Sequence, residues 1–207
     1  VREGRIVVSH HLYLVRHGEQ QDAEHGVEDG PLSARGVRQA HLIADRLSGV
    51  AFTEAYHSPL VRAEHTARVM HERLPATDFQ PHALLMDCIP SGVEPEMPHA
   101  YQAFFTGVTD AEVDAGRAQM ADAVEQWLMP RGERSDVLLV THNFVIGWFV
   151  RHVLDAPDWK WMTLNQANGG LTVIHMRPGR PPQLLCHNDL GHLPVELRTG
   201  MPTALPV

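Results

Sequence analysis

The stretch Leu12-Tyr13-Leu14-Val15-Arg16-His17-Gly18 decides the reading of this chain: an unbroken apolar run stops on an arginine, a histidine and a glycine. Four apolar residues in a row suit a strand buried on both faces, as in a mostly parallel sheet. A histidine released at the carboxyl end of such a strand stands in the crevice where open α/β sheets bind ligands. With Arg16 to neutralise an oxyanion and Gly18 to let backbone N–H groups come close, His17 can attack a phosphate. A histidine at a strand end is also a common loop residue, so two further segments carry the reading.

The first is Tyr56-His57-Ser58-Pro59-Leu60-Val61-Arg62-Ala63-Glu64-His65-Thr66-Ala67. Ser58 is expected to cap a helix and Pro59 to fit its first turn, which puts Arg62 one turn in. Its guanidinium fork can then point back to the sheet edge and take two phosphate oxygens. The second is Asp136-Val137-Leu138-Leu139-Val140-Thr141-His142-Asn143-Phe144, again an apolar strand ending on a histidine, with an apolar helix after it. Carboxyl ends of neighbouring strands share one crevice, so Arg16, His17, Arg62 and His142 are expected to meet.

Composition bounds the rest. A chain of 207 residues has room for one α/β domain with a full core, expected here over residues 1–207 with its core at about 12–189 and a disordered tail after 200. A net charge of −8 with only 17 Lys and Arg, scattered along the chain, supplies no basic field for nucleic acid or an anionic membrane. Cys88 and Cys186 fit no zinc or redox spacing, no run of 18 apolar residues occurs, and VREGRIVVSHH lacks the features of a secretory signal, so a cytoplasmic protein with reduced thiols is expected. The 15 histidines are spread along the chain without HExxH or a tight carboxylate cluster, and no metal or other cofactor is expected.

Periodicity places a helix after Ser33 (Val37, Ala40, Ala44, Leu47), a strand over 55–58, and a helix from Pro59 with Leu60, Ala63, Ala67, Met70 and Leu74 buried. Val113, Met120, Val124 and Leu128 mark a third helix, ended by Pro130-Arg131-Gly132. Strands are expected over 137–141, 171–176 and 184–186, the last two joined by the turn 177–182.

LYLVRHGE, PLSARGVRQA, YHSPLVRAEHTA, DVLLVTHNFVIGWFV and LNQANGGLTVI together resemble the histidine phosphatase superfamily, in its phosphoglycerate mutase-like branch. That resemblance covers residues 12–189 and implies a three-layer α/β/α sandwich with a mostly parallel central sheet. It also implies a metal-independent phosphomonoesterase acting through phosphohistidine. His17 would be the nucleophile, Arg16, Arg62 and His142 the phosphate pocket, and Gly18, Glu19 and the backbone N–H of Asn143 further substrate contacts, the last aided by the helix dipole.

Phosphoryl transfer to histidine needs an acid for the leaving oxygen and then a base for water. The family places a glutamate where this chain has Asp87, one methylene shorter; Glu94 and Glu96 are the other candidates. A carboxyl group beside a phosphate dianion is expected to titrate high. Between residues 87 and 116 there is no Lys or Arg, while Glu94, Glu96, Asp110, Glu112 and Asp114 accompany Tyr101, Phe104 and Phe105. As a lid this segment would repel polyanions, which favours hydrolysis over a phosphoglycerate mutase reaction. PSGVEPEMP and LNQANGG are similar to the PGAM-type serine/threonine phosphatase subgroup, so expected partners are a phosphorylated small molecule or a phosphoprotein, with a homodimer left open. The non-enzymatic alternative is a module that binds phosphorylated ligands with the same pocket.

Overall fold

The computed structural model describes residues 9–25, 28–129 and 131–201. Its centre is a six-stranded sheet in the order β3-β2-β4-β1-β5-β6, built from β1 (His10–Arg16), β2 (Glu54–His57), β3 (Phe79–Pro81), β4 (Ser135–Thr141), β5 (Leu171–Arg177) and β6 (Arg180–Asp189). β3, β2, β4 and β1 pair in parallel, and β5 and β6 add an antiparallel edge. The β5–β6 turn is two residues, Pro178-Gly179, shorter than the six read from composition; Gly179 takes φ +71, and so short a link can join only antiparallel strands. β3 carries no periodic signal, being three residues of which one is proline.

Both faces of the sheet are covered. α1 (Ala34–Leu47) and α2 (Val61–His71) lie on one side, where Ala40, Ile43, Ala63 and Met70 pack on Val15, Leu138 and Val140. α4 (Asp110–Leu128) and α5 (Asn143–Val153) lie on the other, where Met120, Trp127, Ile146 and Phe149 pack on Leu12, Leu14, Val137 and Leu139. Alternate residues of β1 and β4 thus feed opposite cores, and every residue of β4 is buried. Residues 83–105, where no periodicity was legible, hold a short α3 (His99–Gln102), two 3-10 turns (Ala83–Leu85 and Ala103–Phe105) and irregular chain between them.

Two helix starts differ from the sequence reading. α1 is capped as expected, with Ser33 accepting from Gly36 N at 3.0 Å. α2 starts at Val61, and Leu60 occupies its N-cap position with no side-chain cap bond. Ser58 is engaged elsewhere, and the first amides of α2 are taken by a distant carboxylate described below. α4 starts at Asp110, earlier than its apolar stripe, because Thr109 and Glu112 form a capping box. Pro130, the first eight residues and the tail after Met201, to which several expectations referred, lie outside the described residues.

Candidate active site

β1 and β4 end side by side: Arg16 pairs with Thr141, His17 N donates to Thr141 O at 2.9 Å, and Ser58 N donates to Val140 O at 2.9 Å. The helix after β1 packs on one face and the helix after β4 on the other, so the carboxyl ends of these neighbours form a topological switch point. His17 and His142 emerge there with ring centroids 5.1 Å apart. Gly18 and Gly36 let α1 approach the strand end, since a Cβ on Gly18 would lie 2.6 Å from Gly36 O and one on Gly36 only 2.2 Å from Glu19 O.

His17 is held in one tautomer. Its Nδ1 sits 2.8 Å from Gly18 O, a pure acceptor, so Nδ1 carries the hydrogen and Nε2 keeps the lone pair. Burial, with the charges of Arg16 and Arg62 beside it, holds its pKa well below 6.5. The ring is a neutral nucleophile aimed through Nε2.

Arg62 is the hub. Its Nε donates to His17 Nε2 at 3.3 Å, one terminal nitrogen to Asp87 Oδ2 at 3.3 Å, and the other to Asp29 Oδ1 at 3.1 Å. His142 is 1% exposed; Nε2 pairs with Ser58 Oγ at 2.8 Å, and Nδ1 lies 3.9 Å from Asp87 Oδ2 with no hydrogen-bond partner. Burial, then the neighbouring His17, holds its pKa well below 6.5 as well. Arg16 donates to Gln166 O at 2.6 Å and Gly200 O at 2.7 Å, while its buried Nε is also unpartnered. Burial draws its pKa down to about 10, which leaves it charged at neutral pH.

Asp87 stands on the cleft wall with its side chain 37% exposed. Its carboxyl titrates above the usual range because burial outweighs the opposing pull of Arg62 and Arg16. Glu94 and Glu96 do not line this cleft; Glu94 lies instead within electrostatic reach of Arg151, and Glu96 is exposed.

The cleft encloses about 770 Å³, lined by Arg16, His17, Arg62 and Asp87 at its base and by Glu19, Asp22, Glu28, Ser33 and Arg35 around it. Several expectations change. Residues 94–114 do not form its wall: Phe104 packs on Phe144 and Trp161, Tyr101 on Trp159, and the loop after β1 takes the place given to a lid. Gly18 N donates to Thr66 Oγ1 at 3.0 Å and so does not face a ligand. The Asn143 side chain ties the loop after α5, accepting from Gln166 N at 2.7 Å and donating to Asn165 at 2.8 Å; its backbone N–H belongs to the first turn of α5, whose amides have no intrahelical partner. Glu19 faces the cleft and takes Ser33 Oγ at 2.8 Å and Arg35 Nε at 3.0 Å.

Sequence reading missed Asp29, Ser58 as the partner of His142, Asn168, which donates to His17 O at 3.1 Å, and Gly200. Asp29, Asn168 and Gly200 are loop residues brought in from far along the chain with no periodicity or cap motif to mark them, whereas Ser58 was read as a helix cap and serves His142 instead. Among the described residues no three His, Cys, Asp or Glu side chains are grouped to hold a metal ion, and no helix is long and apolar enough to cross a membrane.

A buried Arg16 Nε–H and a buried His142 Nδ1 without partners, a neutral imidazole whose Nε2 lone pair takes only a long 3.3 Å contact from Arg62 Nε, and a carboxyl group of raised pKa can together hold a tetrahedral oxyanion, attack its centre and move a proton. Comparisons with known proteins bear on the family and the fold. The chain is 27% identical over 190 residues to the mitochondrial serine/threonine-protein phosphatase PGAM5 of Rattus norvegicus, covering 89% of this chain and 64%, just under two thirds, of that one. It is also 27% identical over 181 residues to a probable phosphoglycerate mutase GpmB of Serratia proteamaculans, covering 79% of this chain and 83% of that one. A phosphoserine phosphatase of Entamoeba histolytica, solved with 3-phosphoglyceric acid, superposes with a TM-score of 0.68 at 23% identity over 89% of this chain and 99% of that one, and shares the fold. The family model described as histidine phosphatase superfamily (branch 1) matches residues 12–190, from within β1 to just past β6, and the chain belongs to that family.

Proposed function

We propose that this chain hydrolyses phosphomonoesters, with His17 Nε2 as the nucleophile. The observation that carries the reading is the buried, unpartnered Arg16 Nε–H beside the unprotonated His17 Nε2, with the equally unpartnered His142 Nδ1 in the same cluster. A buried N–H left unpaired costs about 1–3 kcal/mol, and a phosphate oxygen on Arg16 Nε removes that cost. In the first step Nε2 bonds to phosphorus as the ester P–O bond breaks, and Asp87 gives its proton to the departing oxygen. In the second, Asp87 as carboxylate takes a proton from water, whose oxygen bonds to phosphorus and releases inorganic phosphate and His17. Arg16, Arg62 and His142 hold the equatorial oxygens through both steps.

Hydrolysis fits the cleft better than mutase transfer. Of the cations lining it, Arg16 and Arg62 belong to the phosphate subsite, and Arg35 is paired to Glu19 at 3.0 Å, with Asp22 and Glu28 nearby. A second anionic group on the substrate would meet more acid than base. The breadth of the cleft suits a phosphorylated side chain as well as a small phosphate ester.

His17→Ala tests the reading. Turnover of para-nitrophenyl phosphate should fall by several orders of magnitude; a variant keeping more than about a hundredth of native activity sinks covalent catalysis, because acid–base help alone is worth about a hundredfold or more. Rapid quench of the native protein should trap acid-labile phosphate on His17. Vanadate should inhibit competitively and EDTA should leave the rate unchanged, whereas loss on chelation restored by a divalent ion would transfer the chemistry to a metal. A panel including phosphoglycerates decides against mutase transfer if phosphate is released to water alone.

A further inference from the structure

The loop between β1 and α1 turns one acid, Asp29, onto the start of α2. It is closed at its base by the Gln20–Leu32 bridge and by Gln21 N donating to Pro31 O at 2.9 Å. Near its end Asp29 accepts from Val61 N at 2.9 Å through Oδ2, and through Oδ1 from Arg62 N at 3.4 Å and the Arg62 guanidinium at 3.1 Å. The neighbouring Glu28 O accepts from the same guanidinium nitrogen at 3.3 Å. One carboxylate therefore caps a helix that has no cap of its own and grips the side chain projecting from its first turn.

That grip bears on the acid. Arg62 is shared between Asp29 on one side and Asp87 on the other, with Nε on the nucleophile. Released from Asp29, both terminal nitrogens would turn to Asp87, where a bidentate pair is the stronger geometry. A carboxyl group so paired stays ionised and has no proton to give.

Resting on the phosphatase reading above, we infer that Asp29 is a positioning residue. By holding half of the Arg62 guanidinium it keeps Arg62 on the phosphate subsite and leaves Asp87 free to cycle between acid and base.

The test separates charge from cap. Asp29→Asn and Asp29→Ser each keep an acceptor for the α2 amides and remove the charge. Each is assayed on para-nitrophenyl phosphate, whose leaving group needs little protonation, and on whichever of glycerol 2-phosphate, phosphoserine and glucose 6-phosphate the native protein turns over fastest. With Tm close to native, kcat on the alkyl ester should fall about tenfold further than on para-nitrophenyl phosphate, part of the 10²–10⁴ that a general acid supplies. Asp29→Glu, which restores the charge, should move the ratio back. Equal losses on both substrates, unchanged rates on both, or failure of both charge-free variants to fold would leave Asp29 a cap only and overturn the assignment. A native protein that hydrolyses none of these esters overturns the underlying reading instead.

Discussion

In the proposed cycle Asp87 and His17 have opposite protonation needs at one pH, and their surroundings meet both. Burial and two arginines keep the imidazole unprotonated, while burial keeps the carboxyl group protonated higher than usual. Because the acid works in its neutral form, kcat on alkyl phosphates should decline as pH rises through the raised pKa of Asp87. Asp87→Asn should abolish that limb and cut alkyl ester hydrolysis roughly 10²-fold or more while cutting para-nitrophenyl phosphate far less. Equal losses on the two substrates would make Asp87 structural, and no loss would pass the proton to another group. The gathering of Arg16, His17, Arg62 and His142 was legible in the sequence, because three sit at or just beyond a strand end and Arg62 lies in the first turn of the helix that follows one. Asp87 was placed by resemblance alone, since a 3-10 turn and irregular chain precede it and no period marks it.

At the scale of elements, close approach of backbones sets tolerance. A methyl group on Gly36 would meet Glu19 O at 2.2 Å, backbone against backbone in the contact that brings α1 to the end of β1. Gly36→Ala should therefore cost at least about 1–3 kcal/mol and depress activity with it, as overpacking between rigid partners does. At Gly49, just past α1, nothing lies within 4 Å and φ is not positive, so Gly49→Ala should be neutral or stabilise by about 0.4–1 kcal/mol through the unfolded chain. Urea unfolding of the two variants checks both signs; a Gly36→Ala protein as stable as native would mean that α1 can slide. The amphipathic helices and buried strands were legible because burial on one or both faces imposes its own period. The start of α2 was not, because its cap comes from Asp29, 32 residues before Val61.

Across the whole molecule, burial is the first cause that lowers the histidine pKa values. His10, His17, His142, His187 and His192 all titrate below 6.5 in the fold, and the unfolded chain binds those protons near 6.5. Groups with depressed folded values contribute stability that is complete above about 6.5 and is lost as pH falls toward those values. Asp87, raised, opposes this as a single group: its contribution is present at low pH and is lost as pH rises through its folded value. Thermal melts from pH 7 to pH 5 should therefore show Tm falling steadily, and His17→Gln should fall less steeply. A Tm that is flat or rises toward pH 5 would mean these rings carry protons inside the fold.

The unbroken apolar runs of β1 and β4, the stripes of α1, α2 and α4, the apolar α5, and histidines where buried strands stop were determined by sequence alone. Each is set by neighbours within a turn or two of the chain. From them followed a layered α/β fold and the proposed phosphate subsite at the carboxyl ends of its strands. Tertiary structure decided who surrounds that subsite. Asp29, Asn168 and Gly200 reach it from loops and Arg35 from the first turn of α1, and Phe104 and Tyr101, expected over the cleft, pack against Trp161 and Trp159 instead. Loop side chains take their places from contacts made across the fold, where long-range packing and charge pairing outweigh any local preference of the chain.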